Sequence, residues 1–178
     1  VMKPALRPRI LFTIVVLSGI GFPRAAAQIS SDLDRQLGAE AATVSTPTGR
    51  TFRGLLDGWR NGRLHLRAAR EGGEVGYSFA PDEIAQLELP GLAMAERALD
   101  LWERGETASA LPLLDALTRQ RLRYLAVLDE RSRRPLLACV SAHLRSGAPL
   151  PALGYAEQLL SSDNGSFSPR ERTVLLDA

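Results

Sequence analysis

The spacing of apolar residues changes once along the chain, at Pro90-Gly91, and this change limits the folds that the sequence can adopt. Before it, short runs alternate apolar and polar residues, which is typical of half-buried β-strands. After it, the apolar residues follow the period of an amphipathic helix. Proline has no backbone N–H to donate, and glycine allows a wider range of φ. The chain can therefore turn there between the strand layer and the helix layer. We therefore predict an α+β protein, with a strand module over residues 41–90 and a helical module over residues 91–178 that packs independently of it.

Five strands are predicted in the first module, because glycine and proline separate its alternating runs. Asn61-Gly62 predicts a two-residue hairpin, since both central residues of a type I′ turn need positive φ. Trp59 is out of phase with Phe52, and a bulge near Asp57-Gly58 would return it to the core side and bend the strand. A short 3₁₀ turn is predicted after Pro81. The predicted strands cover 42–46, 50–60, 63–68, 74–79 and 84–89.

The second predicted strand and the turn before it contain the run Gly49-Arg50-x-Phe52-x-Gly54-x-Leu56. Together with the five strands, the bend and the late 3₁₀ turn, this run resembles the small SH3-like and Sm-like β-barrels. Many Sm-like barrels bind RNA, so the resemblance implies RNA binding as an alternative function. Its candidate ligands are basic residues along the strands: Arg50, Arg53, Arg60, Arg63, His65 and Arg67. Acidic residues are interleaved with them, which favours a solvated strand face over a phosphate-binding patch.

The helical module contains an internal repeat. A glycine, two small or apolar residues and a leucine recur at one spacing, as Gly105-x-x-x-x-Ala110-x-x-x-Leu114-x-x-Leu117 and as Gly147-x-x-x-x-Ala152-x-x-x-Ala156-x-x-Leu159. The small residues would let paired helices approach closely, and each glycine suits the left-handed position after a helix. Helices are predicted from Leu92 to the first glycine, over 107–128, over 134–145 and over 150–160. A capping box at Ser168-Pro169-Arg170-Glu171 predicts the start of a fifth.

This repeat resembles the tetratricopeptide repeat, with Ala98 and Val140 at the small position of each first helix. The two glycines are 42 residues apart, whereas the family period is 34, and the long second helix absorbs the difference. The resemblance implies a concave surface, lined by the first helices of the hairpins, that binds a protein or peptide partner. It places five residues on that surface: Trp102, Glu103, Arg134, Ser141 and Arg145. For the tryptophan a core position is favoured over the groove, because an aromatic residue at helical spacing usually packs inward.

The first 27 residues are typical of a secretory signal peptide. Residues 2–9 are basic, residues 10–22 form an apolar stretch of 13, and Ala25-Ala26-Ala27 supplies the small side chains that a signal peptidase reads. The stretch is shorter than the roughly 20 residues that span a bilayer as a helix. We predict cleavage between Ala27 and Gln28, then a flexible segment over 28–40. The mature protein is expected to be periplasmic or secreted, with no stable membrane anchor.

Cleavage would also change the sign of the net charge. The chain has 22 basic and 20 acidic residues. Four of the basic residues and none of the acidic ones lie in the leader, so cleavage changes the formal charge from +2 to −2. These four are Lys3, Arg7, Arg9 and Arg24. Nucleic-acid binding needs a clustered basic surface that releases counterions from phosphates. The negative charge of the mature chain therefore predicts that it has no nucleic-acid partner.

The sequence contains no motif typical of an enzyme. His-Glu-x-x-His, Cys-x-x-Cys and a phosphate-binding glycine loop are all absent from it. The two histidines, His65 and His143, fall in different modules, so a histidine-based centre is not expected. Cys139 lies among apolar residues, which predicts a buried and unreactive thiol. We therefore predict no catalytic residue, no cofactor and no metal site.

The function that these observations favour is an exported protein-protein interaction or scaffold protein, with a protein or peptide partner in the cell envelope. The alternative is that the chain is the accessory N-terminal part of a longer envelope enzyme or assembly factor. That alternative is suggested by the fifth predicted helix, because a complete third hairpin would need a further helix after Ala178.

Overall fold

A computed structural model gives the structure of residues 22–162 and 167–176. Helix α1 (Phe22–Ala39) comes first, then a five-stranded antiparallel sheet, then five more α-helices. The strands are β1 (Ala42–Ser45), β2 (Thr51–Arg60), β3 (Arg63–Arg70), β4 (Gly73–Phe79) and β5 (Gln86–Glu88). The later helices are α2 (Leu92–Glu103), α3 (Thr107–Arg121), α4 (Glu130–Arg145), α5 (Pro149–Ser161) and α6 (Pro169–Leu176). The α+β prediction is confirmed.

The strands lie in the order β4-β3-β2-β1-β5, so β4 and β5 form the two edges of the sheet. The expected hairpin between β2 and β3 is present, since Asn61 and Gly62 have φ of 53° and 71°. The pairing register shifts between Leu56 and Gly58, which is the predicted bulge, and Trp59 then packs against the core. A 3₁₀ turn over Pro81–Glu83 precedes β5, also as predicted.

Gly54 has a steric role in the sheet. A Cβ atom at this position would clash with the backbone carbonyl of Arg67 on the neighbouring strand β3. Phe52, two residues earlier, packs on Tyr77 and Phe79 with ring centroids 4.8 and 5.1 Å apart. The glycine therefore lets β2 lie close to β3 beside an aromatic cluster that covers one face of the sheet.

The sheet and the helices share one hydrophobic core. Val44 and Leu66 of the sheet belong to the same cluster of buried residues as Leu136 of α4 and Leu159 of α5. The prediction of two independently packed modules therefore differs from the structure. Pro90 and Gly91 still separate the strands from the later helices, but no gap in packing accompanies them.

The shared core depends on a change of helix type after α3. The predicted helix over 107–128 is α-helical only to Arg121, and residues Leu122–Val127 form 3₁₀ turns. Tyr124 and Leu125 in these turns are 5% and 3% exposed and join the common cluster. Because 3₁₀ turns are tighter than α-helical turns, they redirect these two side chains toward the sheet.

The segment predicted to be flexible, residues 28–40, is instead helical to Ala39. Leu37 is 2% exposed and packs in the core of α2, α3 and α4, above Gly91, where a Cβ atom would clash with it. Glu40 accepts a hydrogen bond from the Gly91 backbone at 2.7 Å. These contacts order the segment. Of the predicted signal peptide, residues 1–21 lie outside the described residues, and the proposed cleavage point falls within α1.

The internal repeat corresponds to two helix pairs with the same cap. Gly105 and Gly147 follow α2 and α4 with φ of 81° and 73°. The next residue in each case donates its N–H to the carbonyl five residues earlier, at 2.9 Å, which is the Schellman arrangement. Ala110 and Ala152 are fully buried, as the repeat predicts. The structure thus shows two helix pairs with matching caps, whereas the tetratricopeptide-like repeat stays a prediction.

Helix α6 begins with the predicted capping box. The Glu171 backbone N–H donates to Ser168 Oγ at 3.3 Å, and the Ser168 N–H donates to Glu171 Oε2 at 2.7 Å. Leu175 anchors the helix in the common core. Within residues 22–162 and 167–176, no helix combines the length and the apolar character that crossing a membrane requires.

Candidate functional site

Four of the five predicted partner-binding residues form two contact pairs between α2 and α4. Arg134 Nη2 lies 3.2 Å from Glu103 Oε1, and the Arg145 guanidinium lies 4.9 Å from the centroid of the Trp102 ring. Ser141, the fifth, is half-buried on the same helix as the two arginines. The sequence therefore identified one surface, where the first helices of the two hairpins meet.

The two pairs differ in how far they are open to a partner. The Arg134 and Glu103 side chains are 58% and 55% exposed, so their ion pair contributes only about 0.2–1 kcal/mol and is readily exchanged. Trp102 is half-buried against the α2–α3–α4 core, and its Nε1 is buried with no partner among the described residues. Its ring is therefore partly core and partly a platform for Arg145.

A groove runs from this surface along the N-terminal halves of α2 and α4 to strand β5. It has a volume of about 280 Å³. Its floor is apolar and includes Leu92, which is 52% exposed. The half-buried Leu99 lies two turns further along the same face of α2. Charged side chains of α2 and α4 stand at its rim, among them the pair Arg131 and Glu96 at 3.1 Å. The groove is thus apolar below and charged above.

Strand β5 forms one wall of the groove. Residues 86–89 line it, and β5 pairs with β1 alone within the described part of the chain. The other edge of β5 is therefore available for hydrogen bonds from another extended chain.

Arg121 lines the same groove from the end of α3. It is 3% exposed, and its Nη1 donates to the Ser132 carbonyl at 2.7 Å, but its Nε is buried with no partner in the described residues. Burial lowers the pKa of Arg121 to about 10, and the charge of Asp129 opposes this only partly. A buried cation with an unused donor is unfavourable unless a further acceptor reaches it. No sequence signal pointed to Arg121, because it lies in the middle of the helix predicted over 107–128.

Three of the six basic residues proposed as RNA ligands are paired with acidic residues of the strands and of the 3₁₀ turn. Arg63 lies 2.7 Å from Glu83, and Arg67 lies 3.4 Å from both Glu74 and Asp57. Arg60 also forms an ion pair with the same aspartate. These carboxylates neutralise half of the candidate set, and the absence of a nucleic-acid partner stays a prediction.

No protein-family model, curated protein or solved structure matches the chain. The resemblances to tetratricopeptide repeats and to Sm-like barrels therefore remain predictions from the sequence.

A second group of polar residues is buried between α3, α4 and α5. Cys139 Sγ donates to Asp115 Oδ1 at 3.3 Å, and His143 Nε2 lies 2.8 Å from the same oxygen. Burial raises the pKa of the Cys139 thiol, so the predicted buried, unreactive cysteine is what the structure contains. The sequence analysis missed the grouping. Cys139 and His143 are four residues apart on one helix face, but only the packing of α3 on α4 brings Asp115 to them.

Proposed function

We propose that the protein is an exported interaction or scaffold protein that binds an extended segment of a partner protein in the groove between β5, α2 and α4. The observation that carries this proposal is Arg121, a buried guanidinium with an unused donor in the wall of a groove. The opposite wall is β5, which pairs with β1 alone among residues 22–162 and 167–176. Together they offer main-chain pairing and a site for a carboxylate.

An extended segment fits this groove in three ways. Its backbone can add to the free edge of β5 as a further strand. Its apolar side chains can cover Leu92 and Leu99 on the floor. A carboxylate, from an acidic side chain or a free C-terminus, can reach Arg121 and exchange into the exposed Arg134 pair, since guanidinium groups bind carboxylates with two parallel hydrogen bonds.

Leu92→Arg tests the groove. Peptides selected on the parent protein from a random displayed library are measured by fluorescence polarisation against the parent and the variant. We expect at least a tenfold loss of affinity, about 1.4 kcal/mol, because a charge would replace the apolar floor. Leu150→Arg is the matched control, since Leu150 is an 80% exposed leucine on α5, outside the groove. Equal binding by parent and Leu92→Arg protein contradicts the proposed site.

The export part of the proposal has a separate test. We expect the protein expressed with its leader in a bacterial host to be recovered from the periplasm with Gln28 as its first residue, because the Ala25-Ala26-Ala27 sequence suits signal peptidase. N-terminal sequencing of the periplasmic fraction measures this. A cytoplasmic protein that retains the basic residues 2–9 is inconsistent with export, and it leaves the groove proposal to its own test.

A further inference from the structure

The buried group formed by Asp115, Cys139 and His143 contains the three ligand types that zinc prefers. One donor atom from each residue lies within 4.8 Å of the other two. Thiolate and imidazole ligands favour zinc-class ions over Mg²⁺ and Ca²⁺, which prefer oxygen. We propose that these three residues bind one Zn²⁺ ion, with a fourth coordination position open to the cavity beside α5.

The distances between the donor atoms suit this ion after small side-chain movements. Tetrahedral zinc with usual bond lengths separates a sulfur and an oxygen ligand by about 3.6 Å, and a nitrogen and an oxygen ligand by about 3.4 Å. The present separations are 3.3 Å between Cys139 Sγ and Asp115 Oδ1, and 2.8 Å between His143 Nε2 and that oxygen. Both contacts would open by well under 1 Å. The Cys139 sulfur and the imidazole donor of His143, which lie within 4.8 Å of each other, would have to be about 3.6 Å apart.

The hydrogen bonds that hold the group together are incomplete. Asp115 Oδ1 accepts from both other residues, so the proton of His143 is on Nε2, because a carboxylate can only accept. The residue is only 8% exposed, and its Nδ1 is then buried with no partner in the part of the chain that the structure describes. The two hydrogen bonds to Asp115 are therefore made by the Cys139 and His143 atoms that would bind the ion, and ion binding would replace them.

The charges and protons balance when the ion binds. The Cys139 thiol loses its proton to solvent, and the neutral imidazole moves its proton from Nε2 to Nδ1. Zn²⁺ with one thiolate, one carboxylate and one neutral imidazole has zero net charge, which is the least unfavourable state for a buried site. One proton is therefore released for each ion bound.

An open cavity gives the ion a route to the group. Asp115 and His143 line it with Tyr155 and Gln158 of α5, and its volume is about 380 Å³. The Asp115 side chain is 26% exposed, so a hydrated ion reaches it first. The Tyr155 ring lies 5.8 Å from the His143 ring, centroid to centroid, and its hydroxyl can donate a hydrogen bond to a water in the fourth position.

Cobalt titration of the reduced full chain tests the proposal. Co²⁺ substitutes for Zn²⁺ and gives a near-ultraviolet charge-transfer band only when a thiolate is a ligand. We expect one equivalent per chain, displacement by Zn²⁺, and release of one proton per Zn²⁺ in unbuffered solution near pH 7. A parent protein that binds no Co²⁺, or binds it without the charge-transfer band, overturns the proposal whatever the variants do.

The variants identify the ligands. Cys139→Ser should remove the band, and Asp115→Asn should weaken Zn²⁺ binding by more than about tenfold, measured by competition with a chelating dye. The asparagine has almost the same shape, so metal-free circular dichroism should match the parent and separate lost binding from lost folding. His65→Gln on β3 is the control and should bind as the parent does. Unchanged affinity in the folded Asp115→Asn protein excludes this group as the site.

Discussion

The ion pair between Arg133 and Glu171 should stabilise the attachment of α6 to the rest of the fold. Arg133 Nε lies 3.4 Å from Glu171 Oε1, and both side chains are only 9% exposed. Arg133 also donates to the Leu128 carbonyl at 2.9 Å and lies over the Phe167 ring, 5.3 Å from its centroid. Arg133→Met would keep the length of the side chain but leave the carboxylate buried without its cation.

We expect Arg133→Met to lower the free energy of unfolding by about 3 kcal/mol, the lower end of the range for breaking a buried pair. The lower end applies because Glu171 keeps its hydrogen bond from the Ser168 backbone at 2.7 Å. Glu171→Gln should cost about 2 kcal/mol, the value of a hydrogen bond to a charged group. The double variant should cost at least 1 kcal/mol less than the sum, since neither unpaired charge remains.

Urea denaturation followed by circular dichroism at pH 7 measures these four proteins. The matched control is the exposed pair Arg131 and Glu96, whose side chains are 71% and 62% exposed at a similar separation of 3.1 Å. The cycle with Arg131→Met and Glu96→Gln should give a coupling below about 1 kcal/mol. A coupling for the buried pair no larger than that of the exposed pair refutes the reasoning.

The same pair predicts a dependence on pH. Burial of Glu171 opposes its ionisation, but hydrogen bonds from Ser168 and the charge of Arg133 outweigh this and lower its pKa. A carboxyl group whose pKa is lower in the folded protein stabilises it above the unfolded pKa, and the contribution is lost as the pH falls through the folded pKa. Urea titrations from pH 7 down to below pH 4 should therefore show a smaller decrease in stability for Glu171→Gln than for the parent.

Three further predictions follow from packing. Cys139 should react with a thiol reagent at pH 8 much more slowly in the native, metal-free protein than in urea. Burial raises the pKa of its thiol and blocks access to it. Equal rates would contradict this. Gly54→Ala should clearly lower the midpoint of thermal unfolding, because the added Cβ would clash with the β3 backbone. Gly76→Ala should leave the midpoint nearly unchanged, because no atom lies within 4 Å of the added Cβ. Ala152→Leu should destabilise the fold by about 1–3 kcal/mol in urea, because the site is fully buried, and a loss below 0.5 kcal/mol would refute close packing there.

The strands could be predicted from the sequence because local chemistry determines their turns. Asn61-Gly62 allows positive φ at two successive positions, and the phase of Trp59 reveals the bulge before it. The helix ends at Gly105 and Gly147 were predictable for the same reason. In contrast, the switch from α-helix to 3₁₀ turns after Arg121 spans only six residues, too few for an apolar period to distinguish the two.

Tertiary contacts explain what the sequence did not predict. Helix α1 is ordered by Leu37 and Glu40 reaching Gly91, far away in sequence, so its polar composition was misleading. The α2–α4 surface was predicted because the repeat register places equivalent residues on neighbouring helices. Arg121 and Asp115 could not be predicted, because their roles depend on which elements pack against α3 and at which of its turns.

The shared core has a consequence for the order of events during synthesis. The apolar face of the sheet, including Leu66, is covered by residues as late in the chain as Leu159 and Leu175. At about 5–20 residues per second, the 85 residues from 91 to 175 take roughly 4–17 s to make. Until that interval ends, the helices cover the apolar face of the sheet only in part, and its free edges can pair with other chains. Shielding the strands until α6 has been made should therefore limit aggregation during synthesis.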